Sequence, residues 1–139
     1  MICLIVGAKG SGKTKRIIDL ANSFDTNLGD VVFITDTNRY MYDIKRTVRF
    51  VNSTEYPVIK CSAALLGFVS GLKAGNSDTT NILIDGILRM TKCELNELQG
   101  FFDELNGFAK AHNVKFAITI SCGEEDLPDY LRGVEWCSY

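Results

Sequence analysis

The chain has 139 residues and a net charge of −2, with 15 Lys and Arg against 17 Asp and Glu. That balance gives no global basic field of the kind a nucleic-acid binder carries, and the length suffices for one domain with a real core, residues 1–139. The longest apolar runs are of strand length, so no membrane span is expected, and no charged n-region or cleavage site precedes the first strand. Five cysteines (Cys3, Cys61, Cys93, Cys122, Cys137) form no C-x-x-C pair. This argues against zinc, and the odd count in an apparently unsecreted chain leads to an expectation of free buried thiols in a reducing cytoplasm.

In chain order, Ile2-Cys3-Leu4-Ile5-Val6 is a nearly continuous apolar run, as in a parallel strand buried on both faces. Next comes Gly7-Ala8-Lys9-Gly10-Ser11-Gly12-Lys13-Thr14, which fits G-x-x-x-x-G-K-[ST], the phosphate-binding loop called Walker A. At average usage this pattern arises by chance in about half a percent of chains this long. The helix expected over residues 13–24, with Ile17, Leu20, Ala21 and Phe24 on one face, makes chance a poorer explanation still. Val31-Val32-Phe33-Ile34-Thr35 is a second strand, ending at Asp36. Residues 41–51 are expected to be helical, with Met41, Ile44, Val48 and Val51 as an apolar stripe. Residues 56–60 read as a short extended segment, because Pro57 keeps its neighbour out of the α region. A helix is expected from Ser62 to about Lys73, ended by Ala74-Gly75, and a strand at Asn81-Ile82-Leu83-Ile84-Asp85. Thr91-Lys92-Cys93-Glu94 matches a capping box opening a helix to about Ala111, with Leu95, Leu98, Phe102, Leu105 and Ala109 buried. Val114 to Ile120 is the last clear strand, and Pro128 is placed to open a short final helix. Strands alternating with helices argue for a three-layer α/β sandwich around a mostly parallel sheet.

The loop carries a chemistry. Gly7, Gly10 and Gly12 are expected to give the backbone positive φ and close approach to a ligand. Successive amides of Gly7, Ala8, Lys9, Gly10, Ser11, Gly12, Lys13 and Thr14 would cradle phosphate oxygens at a helix N-terminus. Lys13 would reach the β- and γ-phosphates of ATP, and the Thr14 hydroxyl would ligate Mg2+. At the C-terminal edge of the sheet, where ligands of open α/β folds bind, Asp85 is the candidate to support that metal, as in a Walker B strand.

With these motifs in place, the chain resembles a P-loop NTPase. The run Ile82 to Met90, then a long helix, then Val114 to Ser121, resembles the RecA-like core of replicative helicases and their relatives. The resemblance implies a catalytic carboxylate at the end of the second strand, which falls on Asp36, an Asp where the family commonly has Glu. It also implies a polar residue at the end of the last strand, for which Thr119 and Ser121 are the candidates, Ser121 being nearer the ligand edge. The sequence departs from the family at Gly86, where many P-loop ATPases have Glu. Arg89 and Arg132 are the candidates for an arginine finger. A weaker similarity is to RecA-like thymidine kinases, but the C-x-x-C lasso and the Glu after the Walker B Asp are missing. What this implies is a Mg2+-dependent ATPase serving a protein partner or a second copy of itself. The alternatives are a kinase acting on a nucleoside-like acceptor and a nucleotide-binding module without turnover. The stretch from Arg39 to Phe50 interleaves basic and aromatic residues and reads either as a solvated amphipathic face or as a contact for nucleic acid, a base or a partner.

Overall fold

The structure, a computed structural model, describes residues 1–133 and 135–136. Its strands are β1 (Ile2–Gly7), β2 (Asp30–Thr35), β3 (Arg49–Asn52), β4 (Thr79–Ile84), β5 (Lys115–Ser121) and β6 (Glu135–Trp136). Its helices are α1 (Lys13–Ser23), α2 (Ser62–Gly75), α3 (Ile87–Thr91) and α4 (Gln99–His112). The six strands form one sheet in the order β3-β2-β4-β5-β1-β6, and every pairing is parallel. All C-terminal strand ends therefore share one edge, and the loops that follow β1, β2, β4 and β5 meet there.

The apolar runs are continuous because both faces are covered. Side chains alternate along each strand, so Ile2, Leu4, Val32, Ile34, Ile82, Ile84, Phe116 and Ile118 enter one core with α2, α3 and α4. Ile5, Val31, Phe33, Leu83 and Ala117 enter the other, with Ile17, Ile18, Leu20 and Ala21 of α1. This is the three-layer α/β sandwich expected. Among the described residues no helix is long and apolar enough to cross a membrane.

Residues 41–51 are not a helix. Met41–Asp43 is a single 3-10 turn, and β3 begins at Arg49 as the edge strand against β2. Ile44, Val48 and Val51 are buried as their spacing suggested. Yet Thr47-Val48-Arg49-Phe50-Val51 is rich in β-branched and aromatic residues, and pairing with β2 decides the matter. Phe50 is half-buried and stacks on Phe33 with ring centroids 6.1 Å apart, so it packs against the core rather than joining a basic face. The helix expected from Thr91 is likewise divided. Lys92, in the left-handed region at φ 54, ends the short α3. The capping box is real, but it sits three residues later, on Glu94 and Glu97 at the 3-10 turn Leu95–Glu97, and α4 follows.

Residues 56–60 form no strand; a 3-10 turn at Ser53–Glu55 precedes them, and Ile59 is buried. The short helix at Pro128 is a 3-10 turn, Asp129–Leu131, tied down by the Tyr130 hydroxyl, which donates to the Leu95 carbonyl. The expectation of five free buried thiols fails. Cys3 takes part in a disulfide; Cys61, Cys93 and Cys122 are free, Cys61 is exposed, and Cys137 lies outside the described residues. The thiol argument for a reducing compartment goes with it.

Leu65 on α2 is fully buried in the larger core. Leu65→Ala leaves a cavity there and is expected to cost about 2–5 kcal/mol, read as a lowered urea midpoint at unchanged m-value.

Candidate functional site

The loop from Gly7 to Gly12 leaves β1 and turns into α1. Gly10 and Gly12 have φ of 82° and 90°, and a Cβ on either would point into open space, so the concavity above them is clear. Gly7 differs from expectation. It does not take positive φ; it is needed because a Cβ there would overlap the Ser11 side chain, which packs directly against it. The Ser11 amide donates to the Ala8 carbonyl at 3.1 Å and closes the turn.

Helix α1 starts against local electrostatic preference. Its N-cap is Gly12, no side chain caps its first amides, and no acidic residue lies in its first turn. That turn instead holds Lys13, Lys15 and Arg16, three cations at the positive end of the helix dipole. Lys13 is 7% exposed, and its ammonium donates to the Ala8 carbonyl at 2.9 Å. Among the described residues no carboxylate lies within ion-pairing distance of it. Burial pushes its pKa below the usual value; Asp85 pulls it back up, while Arg89 adds to the lowering. Lys15 pairs with Asp19 at 2.7 Å, but the uncapped amides and the desolvated Lys13 ammonium are both satisfied by one thing, an anion in the concavity.

Asp85 stands immediately after β4, 4% exposed, and ties three segments together. Its Oδ2 accepts from the Thr14 hydroxyl at 3.1 Å, and its Oδ1 accepts from the Thr119 hydroxyl at 2.6 Å. Thr119 in turn accepts from the Gly86 amide at 3.1 Å. So Thr119, buried in β5, is the polar residue that reaches Asp85, while Ser121 is exposed on the cavity wall. The sequence named both and leaned to Ser121 for its place nearer the edge. Strand alternation does not separate the two, since residues two apart share a face; only the pairing of β5 with β4 puts Thr119 rather than Ser121 beside Asp85.

The Thr14 hydroxyl and Asp85 carboxylate are hard oxygen donors of the kind Mg2+ takes. The described residues hold no cluster of three or more His, Cys, Asp or Glu able to cage a metal alone. This donor set fits an ion that completes its shell with water and phosphate oxygens.

Asp36 follows β2 and faces the same cavity, of about 1080 Å³, together with Lys13, Thr14, Asp85, Arg89 and Thr119. Its carboxylate is not free. Arg89 of α3 grips it with both arms of the fork, Nε to Oδ2 at 2.8 Å and Nη2 to Oδ1 at 3.1 Å. The hydrogen bond to Asp36 raises the Arg89 pKa above its usual value, with burial opposing. Sequence reasoning had no signal for this pair, since 53 residues separate its members. Arg39 and Tyr40 also line the cavity, and Tyr42 is 92% exposed. Arg132 pairs instead with Asp129.

No protein-family model and no curated protein matches this sequence. Among solved structures, the flagellar accessory protein FlaH from Methanocaldococcus jannaschii is similar, with a TM-score of 0.57 at 12% identity, over 96% of this chain. The chain spans 65% of that protein's length. The likeness is one of fold, in keeping with the RecA-like α/β architecture.

Thr119→Val keeps the side-chain shape but leaves Asp85 Oδ1 and the Gly86 amide without their partner. It is expected to cost about 1–3 kcal/mol by chemical denaturation, with Thr119→Ser recovering most of the loss.

Proposed function

We propose that this chain is one nucleotide-binding domain that holds ATP with Mg2+ and hydrolyses it slowly in service of a partner protein or a second copy of itself. The observation that carries the reading is Lys13: a desolvated cation with no carboxylate within ion-pairing distance among the described residues, at the mouth of an uncapped helix, over a cleared glycine loop. The amides of residues 7–14 receive the phosphates, and Lys13 exchanges the Ala8 carbonyl for phosphate oxygens. Thr14 and Asp85 hold Mg2+, which when bound neutralises charge on the β- and γ-phosphates. Thr119 keeps the Asp85 carboxylate aimed at Thr14.

In hydrolysis a water oxygen bonds to the γ-phosphorus as the bond to the β–γ bridging oxygen breaks. The water proton passes to Asp36 and on to solvent, leaving ADP and phosphate. Asp36 has a short side chain for this task, which favours slow turnover. The FlaH likeness supports the fold on which such a reaction would run and says nothing of the reaction itself.

Replacing Lys13 with Ala should lower nucleotide affinity or turnover by at least ~tenfold, about 1.4 kcal/mol, with the fold intact by circular dichroism. A folded variant with unchanged affinity and rate would overturn the phosphate-loop reading. Asp85→Asn should blunt the tightening of ATP binding by Mg2+ more than it weakens binding without metal, as read by calorimetry. Phosphate release measured with and without nucleosides separates hydrolysis from phosphoryl transfer to an acceptor.

A further inference from the structure

Both oxygens of the candidate base are occupied by a cation from the same chain, and that cation lies beside the proposed triphosphate site. Arg89 is the third residue of α3, which directly follows the Asp85-Gly86 corner. Gly86 has φ 93, and a Cβ there would overlap the Arg89 guanidinium. The guanidinium thus covers the residue next to Asp85, whose left-handed backbone favours glycine. It faces the cavity that Lys13 and Thr14 also line, close enough to lower the Lys13 pKa and to be influenced by Asp85 itself. The pair is partly exposed, with side-chain exposures of 57% for Arg89 and 23% for Asp36, so it can open without unpacking the core.

We infer that Arg89 is a second γ-phosphate-binding cation beside Lys13, supplied in cis, and that Asp36 and the γ-phosphate compete for it. The inference rests on the nucleotide-binding reading above. Without ligand, the Asp36 carboxylate holds the fork. A γ-phosphate offers the same bidentate geometry with more charge, so Arg89 transfers to it. That transfer frees Asp36 at the moment a water-activating base is required. A nucleoside diphosphate lacks the competing group and leaves the pair closed. The arrangement makes the base conditional on a triphosphate, and it accounts for Gly86 where many P-loop ATPases carry Glu: the space above that position belongs to Arg89.

The test is the ratio of ATP to ADP affinity, by calorimetry with Mg2+, in wild type, Arg89→Ala and Asp36→Asn, each checked for folding by thermal denaturation. Arg89→Ala should weaken ATP binding about tenfold and leave ADP binding within about twofold. Asp36→Asn removes the competitor, so ATP should bind ~2–5-fold tighter, the scale of a partly exposed ion pair, with ADP unchanged. Hydrolysis, where present, should fall at least ~tenfold in both variants. If wild type binds neither nucleotide, the phosphate-loop reading fails and takes this inference with it. If wild type binds both but Arg89→Ala keeps the same ATP-to-ADP ratio, or Asp36→Asn weakens ATP binding, the phosphate loop stands and the role given to Arg89 is wrong.

Discussion

Everything at the ligand edge hangs on one buried carboxylate. Asp85 accepts from Thr14 on one oxygen and from Thr119 on the other, so it fastens the start of α1 to β4 and β5 at once. A charge at 4% exposure is costly unless its lone pairs are satisfied. The two threonines supply that satisfaction, and in doing so they fix how the phosphate loop sits over the sheet. The sheet order makes this possible: β5 lies between β1 and β4, so its inward residue at position 119 is the natural bridge. The Cys122 amide, donating to the Gly7 carbonyl at 3.1 Å, ties the end of β5 to the loop from below.

Around that anchor the site is built from local choices that a purely structural sequence would avoid. Cations crowd the positive end of α1, its N-cap has no side-chain acceptor, and the buried Lys13 ammonium has no carboxylate within ion-pairing distance among the described residues. Such features cost stability, and a polyanion over the loop relieves the uncapped amides and Lys13 together. Conflicts of this kind between local preference and fold mark functional positions. The Asp36–Arg89 pair is the counterpart on the far wall: charges that do satisfy each other, but at a partly exposed place where a stronger anion can displace one of them.

Much of this was legible in the sequence, because some signals are local. The glycine pattern, the strand before it and the Asp after an apolar triplet need no tertiary information. The five strands from β1 to β5 differ in this respect. β1, β2, β4 and β5 were readable as apolar runs, whereas β3 was read as helix because Ile44, Val48 and Val51 fit a helical spacing equally well, and only pairing with β2 resolves it. The helix read from Thr91 to Ala111 failed at Lys92, whose left-handed conformation no periodicity reveals. The roles of Thr119 and Arg89 depend on which strands are neighbours, and that knowledge enters only with the sheet order. The disulfide at Cys3 contradicted an inference from the odd number of cysteines, a count that does not exclude a pair.

The most direct measurement is a crystal structure with a non-hydrolysable ATP analogue and Mg2+. The account predicts a triphosphate enclosed by the amides of residues 7–14, with the Lys13 ammonium moved from the Ala8 carbonyl onto the β- and γ-phosphates. Nucleotide bound elsewhere, or Lys13 still on the Ala8 carbonyl with phosphate in the loop, would contradict it.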